Sequence, residues 1–127
     1  MAAAGLDNRI EIRLQDYRDV DGTFDKIVSI EMFEALGREH WPVFFAKLEQ
    51  VLAPRGLVAL QTISLPDYRF EDYARHCDWI QKYIFPGSLL ASLHHVTGAM
   101  SRVSRLGVHH LEDVGPHYAL TLARWRQ

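Results

Sequence analysis

The sequence has a single cysteine, Cys77, so no internal disulfide can form, and one unpaired thiol fits a reducing, cytoplasmic setting. It has no excess of either charge. Fourteen Lys and Arg stand against sixteen Asp and Glu, net −2, mixed along the chain, which leaves no basic patch to bind nucleic acid or an anionic membrane by electrostatics alone. No run is long and apolar enough to span a bilayer, and Met1-Ala2-Ala3-Ala4 lacks the basic start and apolar stretch of a signal peptide. Internal repeats and low-complexity linkers are missing, and so is any G-x-G, the turn with which many α/β sheets cradle a nucleotide phosphate. What is present is 127 residues at 48% hydrophobic composition, enough for one soluble globular domain with a real core spanning residues 1–127.

Residues 1–8 read as the last turn of a helix, because three alanines favour helix and Gly5 followed by Asp7-Asn8 stops it. Residues 9–14, Arg-Ile-Glu-Ile-Arg-Leu, alternate polar and apolar and predict a strand with one oily face. A polar loop follows, closed by the turn signal at Gly22. Residues 24–30 are then expected to form a strand buried on both faces, since 27–31 is an apolar run broken only by Ser29. Trp41, Phe44, Phe45, Leu48, Val51 and Leu52 fall on one helical stripe with Pro42 in its first turn. Ala53-Pro54-Arg55-Gly56 breaks that helix, and residues 57–63 read as a second buried strand. Strand, helix and strand in this order predict a right-handed crossover with the two strands parallel.

Phe70, Tyr73, Cys77, Ile80 and Ile84 mark a second amphipathic helix ended by Pro86-Gly87, with Cys77 in its packing stripe. A short helix is expected within residues 89–100. Residues 104–112 and 118–125 predict strands that would close the sheet as an antiparallel edge hairpin.

Two acids, Glu31 and Glu34, stand just beyond the carboxyl end of the strand at 24–30, where ligands bind in an open parallel α/β sheet. The alternative is a pair of solvated acids opening the next helix. The wording around them, F-D-K-I-V-S-I-E-M-F-E-A-L-G, resembles the strand and catalytic loop of the cyclopropane-fatty-acyl-phospholipid synthases, methyltransferases that use S-adenosylmethionine. The resemblance runs along nearly the whole chain: R-I-E-I-R-L-Q-D-Y-R-D looks like the family's strand into its adenine-side loop, L-A-P-R-G-L-V-A-L-Q-T-I its next turn and strand, I-Q-K-Y-I-F-P-G its substrate-side segment and H-Y-A-L-T-L-A-R-W its closing strand.

The resemblance implies an α/β fold: a partial Rossmann-like methyltransferase sheet, mostly parallel with an antiparallel edge hairpin, lacking the first two strands. With those strands would go the Gly-rich loop and the acid that grips the ribose hydroxyls. It implies transfer of a methylene or methyl group to the double bond of an unsaturated phospholipid acyl chain. Other readings are a superfamily member that methylates a fatty chain without closing a ring, and a non-catalytic fragment. An alkene is a poor nucleophile, so such a site must align it with the sulfonium methyl, exclude water, and take a proton from the cation formed.

By the resemblance a bound bicarbonate takes that proton, with Glu34 holding it, Tyr118 hydrogen-bonding it and the backbone amide of Ile63 assisting. Gln61 stands where several relatives have histidine; it can donate to an anion but cannot shuttle a proton. Glu34 and an anion can be neighbours only if Glu34 is protonated or the bicarbonate proton is shared with it. Gln15, Asp16 and Tyr17 look like the adenine pocket, or else form an ordinary polar turn. Glu31 would line the methionine end of S-adenosylmethionine. Trp79, Tyr83, Phe85 and Pro86 wall the acyl tunnel or simply pack in the core. Peripheral membrane contact is expected only through the family's amino-terminal lipid-facing segment, which this chain lacks.

The seven histidines do not read as a metal site: His94-His95 and His109-His110 are adjacent pairs that point apart, with no acid or cysteine at ligand spacing. The strand at 9–14 should either collapse onto the strand at 24–30 or pair with a second copy of the chain through exposed sheet edges.

Overall fold

The computed structural model describes residues 5, 6 and 8–127. The helical turn expected over 1–8 falls largely outside them. The centre of the fold is the predicted crossover: β1 (Phe24–Ile30), α1 (Trp41–Val51) and β2 (Leu52–Gln61), with β1 and β2 parallel and Lys26 to Ile30 in register with Leu57 to Gln61. A second small parallel pair joins β3 (Ser64–Leu65) to β4 (Ala91–Ser92). Around them lie α2 (Asp67–Arg75), α3 (Trp79–Tyr83), α4 (Leu93–Val103) and α5 (Tyr118–Trp125). The architecture is thus mixed α/β with parallel pairing, as expected.

The helical stripe of α1 builds the core. Trp41, Phe44, Phe45, Leu48 and Val51 are buried, and Phe33, from the 3-10 turn Phe33–Ala35 after β1, inserts fully buried among them. Its ring stacks on Trp41 at 5.4 Å and meets Phe44 and Phe45 at 5.4 and 5.6 Å, offset and edge-on geometries that aromatic rings prefer. Phe70 of α2, Ala91 of β4 and Ala99 of α4 complete the cluster.

The break expected at Ala53-Pro54-Arg55-Gly56 is a bulge inside β2 rather than a turn before it. Phe24 pairs with Leu52 and Lys26 with Leu57, so the intervening residues loop out of the ladder, with Arg55 at φ 66°. Gly56 is required there: a Cβ would lie 2.7 Å from Leu52 Cδ1 and 2.9 Å from the Ala53 carbonyl oxygen.

Several sequence expectations fail for identifiable reasons. Strand β1 is not covered on both faces: Ile27 is half-buried and Ser29 buried, but Val28 and Ile30 are 65% and 61% exposed. Residues 9–14 form no strand; Ile12 and Leu14 face solvent, and among the described residues no strand pairs with them, β1 included. The long second helix is two helices. Asp78 starts α3 with a capping box, accepting from the Gln81 amide while the Gln81 side chain accepts from the Asp78 amide, and this local start ends α2 at Arg75. Cys77 therefore sits exposed in the joint and does not pack.

The closing antiparallel hairpin is absent from the described residues. Residues 104–112 carry no regular structure, and 118–125 are α5. Tyr-Ala-Leu-Thr-Leu-Ala-Arg-Trp is rich in good helix formers, and without a strand alongside to satisfy its backbone an alternating segment has no reason to stay extended.

Candidate active site

The carboxyl ends of β1 and β2 lie side by side and bring two pairs of predicted residues together. At the end of β1, Glu31 adopts φ 51°, a left-handed conformation that costs a non-glycine residue energy. Its amide donates to the Gln61 carbonyl at 2.9 Å, extending the parallel ladder by one residue, and its carboxylate accepts from the Gln61 side-chain amide at 3.2 Å.

The kink at Glu31 turns the chain into the 3-10 turn that carries Glu34 inward. Glu34 is only 8% exposed, which is rare for a carboxylate. Its Oε1 accepts from the Thr62 hydroxyl at 2.9 Å and from the backbone amide of Ile63. Its Oε2 is buried with no protein hydrogen-bond partner. Its backbone carbonyl accepts from the Leu89 amide at 2.8 Å. Glu34 is thus no helix cap: the α1 N-cap residue, His40, has no side-chain cap bond, and Glu34 bonds to β2's exit instead.

Thr62 escaped the sequence reading. It stands between Gln61 and Ile63, and a hydroxyl at the carboxyl end of a strand beside a predicted acid was the signal for it.

The remaining residues lie apart from this pair of strand ends. Asp16 caps the 3-10 turn Tyr17–Asp19, accepting from the Arg18 amide, and both its carboxylate oxygens bind the Arg18 guanidinium at 2.9 and 2.8 Å. The Arg18 hydrogen bonds hold its pKa down at about 2. Gln15 donates to the Asp19 carbonyl at 2.7 Å, and Tyr17, half-buried, packs edge-on to Phe44 at 5.8 Å. Burial raises the Tyr17 phenol above its ordinary value. Gln15 also lines an open recess of ≈ 570 Å³ with Glu11, Arg13, Asp21 and Phe24.

Tyr118 is not brought to Glu34; it lies exposed on α5 with its ring 6.0 Å from Trp125. Trp79, Tyr83 and Phe85 are exposed as well, so they neither pack in the core nor enclose a tunnel among the described residues. No group of three His, Cys, Asp or Glu side chains there is arranged to hold a metal ion.

A family model described as mycolic acid cyclopropane synthetase matches residues 1–127, the full chain. The chain belongs to this family. Among its relatives, the tuberculostearic acid methyltransferase UfaA1 of Mycobacterium tuberculosis is 46% identical over 127 residues, all of this chain and 30% of that protein. The cyclopropane-fatty-acyl-phospholipid synthase of Escherichia coli K12 is 36% identical over 123 residues, 95% of this chain and again 30% of that protein. The chain therefore spans about a third of the length of the curated relatives it matches. Two solved structures share its fold: mycolic acid cyclopropane synthase CmaA1 complexed with SAH and CTAB, TM-score 0.78 at 29% identity over 97% of this chain and 48% of that one, and the cyclopropane synthase MmaA2 of Mycobacterium tuberculosis, TM-score 0.77 at 26% over 93% and 46%. No helix among the described residues is long and apolar enough to cross a membrane.

Proposed function

We propose that this chain carries the proton-accepting half of an S-adenosylmethionine-dependent transfer of a one-carbon group to the double bond of an unsaturated phospholipid acyl chain, acting in the cytoplasm. The observation that carries the reading is Glu34: a buried carboxylate fixed on one oxygen by Thr62 and the Ile63 amide, with its other oxygen buried and unpartnered. A small protonated anion, bicarbonate, suits that oxygen chemically, because it could donate its own proton to Oε2. Glu34 would hold the anion, which when bound would supply the base for the proton that the acyl chain must lose for a ring to close. Gln61 completes the polar wall through Glu31 and supplies hydrogen bonds but no proton shuttle.

S-adenosylmethionine, when bound, supplies the electrophilic methyl. Gln15, which lines the open recess, Asp16, held ionised by Arg18 as an acceptor for an exocyclic amine, and Tyr17, with its half-buried ring, would hold its adenine. Glu31 is assigned the methionine end. In the helical arrangement of 118–125 Tyr118 remains exposed, so the anion's proposed partner is Glu34, whose other oxygen Thr62 and Ile63 hold.

The test is to incubate the chain with S-adenosylmethionine and vesicles of a cis-unsaturated phospholipid and weigh the acyl products. A gain of one methylene supports the ring-forming reading. A second reading, methylation without ring closure, is favoured by the 46% identity to a tuberculostearic acid methyltransferase against 36% to a cyclopropane synthase. With no reductant present its product is an alkene of the same mass as the ring, so the products are weighed again after mild hydrogenation, which adds two hydrogens to that alkene alone. Unchanged lipid, with no heat on titrating S-adenosylmethionine, contradicts both and fits a non-catalytic fragment.

A further inference from the structure

Three contacts converge on the Glu34 loop from residues outside it. Leu89 donates to the Glu34 carbonyl. Two residues on, Ala91 and Ser92, both fully buried, pair as β4 with Ser64 and Leu65, which directly follow the Thr62 and Ile63 that grip the carboxylate. Phe33, next to Glu34, stacks on Trp41. One side chain touches the origin of the last two. His95, 18% exposed, places Nδ1 2.7 Å from Ser92 Oγ, lays its ring 3.7 Å from that of Phe70 and meets Trp41 edge-on at 6.4 Å.

We propose that His95 is a positioning residue for Glu34, clamping residues 89–92 through Ser92, and that protonating its ring loosens the hold on the Glu34 carboxylate. The proposal rests on the reading of Glu34 as the acid of the site. In the tautomer with Nδ1 bare, the buried Ser92 hydroxyl donates to the ring, while its oxygen faces the His95 amide at 3.5 Å as the cap of α4. A proton on Nδ1 reverses the first bond. The Ser92 hydrogen is then left to Asp67, at the start of α2, a carboxylate that Ser92 already hydrogen-bonds and whose Oδ1 accepts from the His94 amide.

Charged groups face the ring from each neighbouring element. Glu71 of α2 lies 3.7 Å from Nε2, and Asp67 lies beyond Ser92. Arg38, from the turn Arg38–His40, pairs with Glu71 at 3.6 Å and covers Phe70, and His94 precedes it on α4. The acids favour a charged ring; burial, Arg38 and His94 oppose it and prevail, so the His95 pKa lies below its ordinary 6.5. The folded state then binds fewer protons than the unfolded one as pH falls below 6.5. The seam is intact above that pH, weakens as pH falls through it, and the penalty is complete below the depressed midpoint.

The test follows the His95 ring and the Leu89 and Ile63 amides of the full chain by NMR from pH 8 to pH 5. Both amides are expected to shift with the midpoint of His95, below 6.5. His95→Phe keeps an aromatic ring against Phe70 and Trp41 but cannot bond Ser92. It should abolish that pH dependence and speed hydrogen exchange at Leu89 about tenfold, and His95→Asn, whose amide can reach Ser92, should restore part of the protection. Amides that ignore the titration of His95, or a phenylalanine variant that protects Leu89 as well as the wild type, would overturn the proposal. If the variants unfold, the wild-type titration alone decides. Bicarbonate titration at pH 8, where His95 is neutral, probes the anion reading separately, so a failure there with the coupling intact removes the function and leaves the clamp.

Discussion

The crossover at residues 24–61 and the segment at 104–127 are both rich in apolar residues, yet only the first buries them. In the crossover, Phe33, Trp41, Phe44 and Phe45 are at most 2% exposed. In the second segment Tyr118, Leu120, Leu122 and Trp125 are 51–70% exposed, and α5 packs mainly on the turn Gly115–His117 before it. The difference is a partner. A parallel strand pair with a helix laid across it closes its own core, whereas a single helix or strand with apolar residues on several sides needs another surface.

That contrast predicts a steep gradient in mutational cost. Phe33→Ala or Trp41→Ala should destabilise the chain by about 3–5 kcal/mol, the range for emptying a buried aromatic site, read as a lower urea midpoint at unchanged slope. Gly56→Ala should cost about 1–3 kcal/mol, because the bulge in β2 leaves no room for a Cβ against Leu52 and the Ala53 carbonyl. Leu120→Ala should stay within about 0.5 kcal/mol in the same assay; a loss comparable to Phe33→Ala would show that α5 is buried in solution and break the contrast. Arg105→Ala removes an exposed ion pair to Glu49 of α1 and should leave the midpoint unchanged. In the turn at 16–19, the Asp16 carboxyl should titrate near pH 2 by NMR, and the folding contribution of its pair with Arg18, present above 3.8, should be lost progressively as pH falls from 3.8 through about 2. A midpoint near 3.8 would mean the pair is not formed.

What could be read from the sequence follows the same division. The stripe from Trp41 to Val51 and the parallel strands beside it were legible, because local period and crossover topology determine them together, whereas Glu34 and Ile63 were named only by the family resemblance and the direct bond between them was not expected. Thr62 was missed because its signal, a hydroxyl at the carboxyl end of a strand, gains meaning only once the fold brings Glu34 beside it. The joint at Cys77 was missed because the five-residue apolar stripe masked the capping signal Asp78 to Gln81. Residues 118–125 misled because alternation and helix propensity coincide there, and only a neighbouring strand can decide between them. The face of β1 carrying Val28 and Ile30 misled similarly: an apolar run announces that burial is favourable, not that a cover is present.

The most direct test of the anion site at Glu34 compares two planar anions of similar size, bicarbonate and nitrate, by following the amides of Glu34, Thr62 and Ile63 at pH 8. Bicarbonate carries a proton to share with the unpartnered Oε2 and nitrate does not. The account predicts saturable shifts at these three residues with bicarbonate, none with nitrate, and no response in residues 118–125. Equal response to both anions, or to neither, would contradict it.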